Sequence, residues 1–276
     1  MLEPPDFDRD TALERIGDGV WRGRVQPHWY VVAGANGGLP AAQATRAMML
    51  AVADPLRLPQ SLTLHYLEAP TEGELDYRVS IERAGRVATA VSIRATRDER
   101  VIALGLGWLG RWREDGPEWT EAAMPRVAPP ADAARLAPRE GGPAMLVNYD
   151  LRLALGARPM SGAERSEIAA WIRTARPRRL DHPALAAYSD ALYPAVWPRL
   201  TSVAFMPTLD LTLHWRAPMP DGDHPWILGR FWSERTGGGV FEENGELWSE
   251  DGQLLLQSRQ LAVLRVPKAG SEAGRG

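Results

Sequence analysis

Cysteine is missing from all 276 positions, which removes disulfides, thiolate metal ligands and a cysteine nucleophile together. Lysine is almost missing too. Lys268, in the small polar stretch VPKAGSEAGRG, is the only one, so a Schiff-base or phosphate-loop lysine is all but excluded. Neither sign of charge dominates: 32 basic and 35 acidic side chains leave a net charge of −3, and no basic field argues for nucleic acid or an anionic membrane. No apolar run approaches the roughly 18 residues of a membrane-spanning helix, and the opening MLEPPDFDRD lacks the basic and apolar regions of a signal peptide. The expectation is a cytoplasmic chain with no nucleic-acid partner and no membrane insertion.

Familiar catalytic signatures are absent as well. His28, His65, His182, His214 and His224 stand apart, without HExxH or another metal spacing, so no metal is expected. There is no GxSxG elbow, which argues against a serine hydrolase of the α/β type. The glycine turn GANGG, Gly34 to Gly38, does not match GxGxxG and no βαβ unit follows it, so its default role is to start a helix.

What the chain does contain is a sentence said twice. Leu62 to Pro70 reads LTLHYLEAP and Leu211 to Pro218 reads LTLHWRAP, 149 positions apart (211 − 62). A tandem duplication follows from that match. In the first half, strand-like Val20 to Val25 and Tyr30 to Val32 precede the glycine turn and an Ala/Met/Leu helix over Leu39 to Ala53, stopped by Asp54-Pro55. Strands are then predicted at Ser61 to Glu68, Leu75 to Arg83, Val87 to Thr96 and Val101 to Trp108, joined by short turns that imply an antiparallel sheet. The second half repeats the order: Ala144 to Ala157, Ile168 to Arg173, a helix over Pro183 to Val196, then Ser202 to Arg216, Trp226 to Ser233, Gly239 to Trp248 and Leu254 to Arg265. The division is 1–114, a Pro/Ala-rich linker at 115–143 that crosses between the halves, 144–266, and a disordered tail at 267–276. Fold class is α+β, a helix on one face of an antiparallel sheet in each half.

Residues that differ between the copies point to chemistry. Alternation along Val203 to Trp215 places Thr208 with Asp210, Thr212 and His214 on the more polar face, while Gln260 shares a stripe with Leu256, Ser258, Ala262 and Leu264. Aligning Val87 with Val240 sets a second offset of 153 (240 − 87). Projected through the offsets, Thr208 falls on Pro59 (208 − 149), Gln260 on Gly107 (260 − 153) and Asp190 on Ala41 (190 − 149). Three polar groups in one half stand against Pro, Gly and Ala in the other.

The turn NGG at Asn36 to Gly38, the YSD of Tyr188 to Asp190, PTLDLTLHWRAP from Pro207 to Pro218 and GELWSEDGQLLLQSRQ from Gly245 to Gln260 together resemble the type II acyl-CoA thioesterase family, the TesB-like double hotdogs. That resemblance implies two tandem antiparallel sheets, each wrapped around one long helix. It further implies hydrolysis of acyl-CoA, no cofactor and a homodimer of double hotdogs. Carried over residue by residue, it makes Asp190, Thr208 and Gln260 the catalytic trio, with Asn36, Gly37 and Gly38 a helix end able to bind substrate by polarising its carbonyl. Arg173, Arg176, Arg178 and Arg179 are open to two readings, a receptor for coenzyme A phosphates or a solvated surface cluster. Two other functions stay in view: an acyl-CoA binding protein without turnover, and a hotdog enoyl-thioester hydratase.

Overall fold

The structure, a computed structural model, describes residues 5–113 and 115–266. The expected tail at 267–276 lies outside the described residues. The first half runs α1 (Phe7–Thr11), β1 (Glu14–Gly17), β2 (Val20–Val25), α2 (Gly38–Val52), β3 (Leu58–Tyr66), β4 (Gly73–Ala84), β5 (Ala88–Arg97) and β6 (Arg100–Gly110). The second runs β7 (Ala134–Arg135), β8 (Tyr149–Leu155), β9 (Glu167–Thr174), α3 (His182–Tyr188), β10 (Thr208–Trp215), β11 (Ile227–Trp232), β12 (Thr236–Gly237), β13 (Val240–Ser249) and β14 (Leu254–Val263).

All strands join one antiparallel sheet in the order β1-β2-β4-β5-β6-β3-β10-β14-β13-β11-β9-β8-β7, with β12 beside β13. Its centre is the pairing of the two LTLH strands. Thr63 lies opposite Thr212, 149 residues away (212 − 63), and their hydroxyls are 3.0 Å apart. The strand order outward from that seam is the same in both directions, so a pseudo-twofold axis passes between these two threonines. This is a double hotdog.

The helices lie on the inner face of that one sheet, which curves around them. In α2, Leu39, Ala41, Ala42, Ala44, Ala47 and Met48 are fully buried, and the helix stops where Ala53 turns left-handed, with φ of 51°, ahead of Asp54-Pro55. The long helix expected over Pro183 to Val196 is shorter. Asp181 caps it by accepting from the Ala184 amide at 2.9 Å, but regular α-helix ends at Tyr188. Asp190 and Ala191 bond back to Ala187 and Tyr188 in tighter turns, and Pro194 then disfavours helix at the residue before it. The two helices run antiparallel: the start of α2 touches the end of α3 at Gly38 and Ala187, while Arg46 of α2 faces Asp181 at the start of α3, 3.8 Å away.

Other expected boundaries moved for local reasons. Tyr30 to Val32 makes only a single bridge, Tyr30 to Ala35, after a 3-10 turn at Pro27–Trp29. Ala144–Asn148 is likewise a 3-10 turn, and the strand begins at Tyr149. Between Ser202 and Pro207 the expected strand is reduced to one bridge, Phe205 to Arg265, and the continuous ladder starts only after Pro207, which lacks an N–H to give it. Between the halves, the chain is laid over the outer face of the second sheet. Ala122, Met124, Val127 and Ala133 pack on Trp171, Leu228 and Trp248, and the Trp171 indole donates to the Ala128 carbonyl at 2.8 Å. Among the described residues the first half has no such cover, and Leu106 and Trp108 on its outer face are 64% and 43% exposed.

Glycine at position 38 is a condition of the helix contact. A Cβ there would stand 2.7 Å from the Ala187 carbonyl oxygen and 2.9 Å from Asn36 Nδ2. Gly38→Ala is therefore expected to destabilise the chain by about 1–3 kcal/mol, the range of an overpacked core. Urea denaturation measures it, and unchanged stability would mean that the helices part without penalty.

Candidate active site

Thr208 reaches the inner face through a β-bulge. In the β10–β14 ladder Thr208 pairs with Ala262 and Asp210 with Leu261, so Leu209 is an extra residue with no partner of its own. Leu211 pairs with Gln260. Residues opposite one another share a face, so Thr208, Ala262, Gln260 and Leu211 all point inward. Alternation alone puts Thr208 with Asp210, Thr212 and His214 on the outer face. The bulge reverses that, and Thr208 Oγ1 donates to Gln260 Oε1 at 3.0 Å.

A fourth residue, not singled out by the motifs, completes this group. Glu243 on β13 lies opposite Gln260 and is 5% exposed. Its Oε1 accepts from Gln260 Nε2 at 2.6 Å, and its Oε2 accepts from the Ala195 amide. Burial pushes its carboxyl up to about 7, against the pull of those two donors, and the nearby Asp190 charge pushes the same way. Its place was visible in VFEENGELW, where Phe241, Glu243, Gly245 and Leu247 share one stripe, so an acid stood on an otherwise small or apolar face.

Asp190 sits just past the end of α3, facing the start of α2 from the other half. Its Oδ2 accepts from the Gly38 amide at 3.1 Å, and its backbone carbonyl accepts from Asn36 Nδ2 at 3.0 Å. Tyr66 holds the turn from the far side by donating to the Gly37 carbonyl at 2.8 Å. Burial raises the Asp190 carboxyl to about 6, even though the Gly38 and Gly37 amides and Asn36 favour its charged form. Among the described residues its hydrogen bonds go to this turn and not to Thr208 or Gln260. The structure thus joins Thr208, Gln260 and Glu243 directly, while Asp190 acts on this group through its charge, which bears on Glu243.

The first half shows what the same fold does without these groups. Leu62 pairs with Gly107 just as Leu211 pairs with Gln260, and Pro59 pairs with Leu109 as Thr208 does with Ala262. The projections of Thr208 onto Pro59 and Gln260 onto Gly107 hold. The anchor of Val87 on Val240 slips by one, since Val91 pairs with Gly107 where Glu243 pairs with Gln260 (243 − 91 = 152). The projection of Asp190 onto Ala41 fails, because α3 starts 144 residues after α2 (182 − 38) and the strand offset does not cross the helix. At Gly107 an added Cβ would meet Met48 Sδ at 2.8 Å and Val91 Cγ2 at 3.3 Å. Where the second half has an amide and a carboxylate, the first has a methionine and a valine.

Each of the four arginines is answered by a carboxylate. Arg173 pairs with Asp150 at 3.1 Å, Arg176 with Asp6 at 3.1 Å, Arg178 with Asp8 at 2.9 Å and Asp181 at 2.7 Å, and Arg179 with Asp223 at 3.3 Å. His65 and His214 lie exposed on the outer face of the seam strands, away from the inner-face groups.

A sheet doubled across a pseudo-twofold seam, with a desolvated carboxylate and a polar chain on one inner face, defines a double-hotdog protein whose halves have diverged. The profile of the acyl-CoA thioesterase N-terminal domain matches residues 25–110 and that of the C-terminal domain matches residues 111–264. The chain belongs to the acyl-CoA thioesterase family. A hotdog-fold protein of unknown function from Alicyclobacillus acidocaldarius superposes with a TM-score of 0.83 at 29% identity, covering 95% of this chain and 98% of that one. Acyl-CoA thioesterase II TesB2 from Mycobacterium marinum shares the fold with a TM-score of 0.76 at 21% identity, over 95% and 99% of the two chains. An uncharacterized protein of Mycobacterium tuberculosis is 25% identical over 289 residues, 95% of this chain and 96% of its own. Among the described residues no helix is long and apolar enough to cross a membrane.

The Asp190 charge opposes folding. Its folded value of about 6 lies above the ordinary 3.8, so the penalty is absent below the lower value, grows between the two and is constant above the higher. The gap corresponds to on the order of 3 kcal/mol. Asp190→Asn leaves an oxygen for the Gly38 amide and removes the charge, so its stability relative to the parent chain should rise across that window and then level off. Urea denaturation from about pH 4 to about pH 8 reads this directly. A pH-independent difference would mean that Asp190 is not desolvated.

Proposed function

We propose that this chain hydrolyses acyl-CoA thioesters, with Asp190 as the general base for a water held by Thr208 and Gln260. The observation that carries the reading is Asp190 itself, a carboxylate raised to about 6 yet held by the Gly38 amide at the start of α2. A base of that strength is mostly ionised at neutral pH and strong enough to take a proton from an attacking water. The water oxygen adds to the thioester carbonyl as its proton passes to Asp190. The tetrahedral intermediate then expels the coenzyme A sulfur, which takes a proton back, leaving a free acid and a thiol. Asn36, Gly37 and Gly38 serve the substrate in the same step. As Asp190 becomes neutral its hold on the Gly38 amide weakens, and that amide turns to the developing oxyanion.

The second half supplies the water-activating groups and the first supplies the helix end, giving one site per chain. A cytoplasmic homodimer belongs to the same reading, since the uncovered outer strip at Leu106 and Trp108 is where a second copy would bury apolar surface. Light scattering of the purified chain tests that pairing.

Release of thiol from acyl-CoA, followed with a thiol-reactive dye over chain lengths from about two to about sixteen carbons, tests the activity. Asp190→Ala is expected to lower kcat by at least about a hundredfold, and Gln260→Ala by about tenfold or more, in variants that stay folded. In the parent chain the rate should fall as the pH drops through about 6, where Asp190 takes up its proton. Tight binding of acyl-CoA with no thiol released would favour a binding protein instead, and loss of enoyl absorbance on crotonyl-CoA would favour a hydratase.

A further inference from the structure

We infer that Glu243 is a positioning residue that sets the direction of the hydrogen bonds along Gln260 and Thr208, and so decides whether Thr208 presents a lone pair or a proton to the attacking water. The inference rests on the hydrolytic reading above for its catalytic consequence. Its structural content stands apart from that reading.

A carboxamide is nearly symmetric in shape and antisymmetric in chemistry, so its two ends are told apart only by their partners. Ionised Glu243 is an acceptor at both oxygens. One takes the Ala195 amide and the other takes Gln260 Nε2 at 2.6 Å. Gln260 Oε1 is thereby turned toward Thr208, whose hydroxyl donates to it at 3.0 Å. With its proton committed inward, Thr208 has only lone pairs left for the site. A water held there donates one proton to Thr208 and the other to Asp190, accepts the second Nε2 hydrogen of Gln260, and keeps one lone pair free to attack.

Protonation of Glu243 inverts every step. The carboxyl O–H donates to Gln260 Oε1, the carboxamide turns over, Nε2 donates to Thr208 Oγ1, and the threonine proton now points at the water's lone pair. The charges facing Glu243 are Asp190, from the segment after α3, and its neighbour Glu242; both oppose its ionisation. Among the described residues no ion pair balances it. The group that faces Gly107 in the first half is Val91, so neither this acid nor this relay is needed for the fold itself.

The test combines kinetics with an observation that needs no turnover. In Glu243→Gln and Glu243→Val, the second copying Val91, kcat should fall about tenfold or more while KM stays within about twofold. The acid limb of the parent profile should reflect two protons, from Asp190 and Glu243, and in both variants should reflect one. Independently, with glutamine side chains labelled with nitrogen-15 in Asp190→Asn, the Gln260 amide signal, assigned by its loss in Gln260→Ala, should move through one transition between about pH 5 and about pH 8. It should stay fixed when Glu243→Gln is added. A fixed signal in Asp190→Asn, or a parent acid limb of one proton unchanged in both variants, overturns the inference while leaving hydrolysis intact. A moving signal in a chain that releases no thiol upholds the inference and removes the hydrolytic reading.

Discussion

The antiparallel pairing of β3 with β10, with Thr63 opposite Thr212, is the constraint from which the rest of the structure follows. It makes one sheet of two halves and places the start of α2 from the first half against the chain that leaves α3 in the second. Asp190 and the Gly38 amide come from positions 152 residues apart (190 − 38), and their 3.1 Å contact exists only because the seam fixes one half against the other. The register of the seam reaches the inner face through the adjacent ladder. Leu211 pairs with Leu64 on one side and with Gln260 on the other. A slip by one residue would turn Gln260 and Glu243 from the protected face to water.

Around that constraint the inner face carries a conflict that is left standing. Asp190 and Glu243 are both raised by burial, and the Asp190 charge makes Glu243 harder still to ionise. Backbone amides of Gly38 and Ala195, with the carboxamide of Gln260, offset part of the cost. A core built for stability alone would hold what the first half holds there, Met48 beside Val91 and Gly107. The comparison of halves is an internal control: same sheet, same bulge at Gln60 and at Leu209, opposite choice between packing and polarity.

Much of this was legible in the residues, and the failures have physical causes. The duplicated LTLH strand revealed the tandem halves, though not that its two copies pair as the seam; the strand offsets found the counterparts of Thr208 and Gln260, and the turn at Asn36 to Gly38 marked the start of a helix. Alternation misplaced Thr208 because a bulge inserts a residue without leaving a composition signal at Leu209. The strand offset misplaced the partner of Asp190 because the two helices differ in length and start, which ladder periodicity cannot sense. The α3 boundary was set too late because Ala191, Leu192 and Tyr193 favour a helix locally, while Pro194 and the bond from Ala195 to Glu243 hold the chain open. Glu243 itself lay on an inward stripe, and its role depended on a cross-strand neighbour 17 positions away (260 − 243).

The segment that crosses from one half to the other does more than connect them. By lying on Trp171, Leu228 and Trp248 it covers the outside of the second half, and among the described residues no equivalent piece of chain covers Leu106 and Trp108 on the first. The halves therefore share a strand order but differ in what covers their outer faces. The connector is thus part of the second half's packing, and without it Trp171, Leu228 and Trp248 would face water.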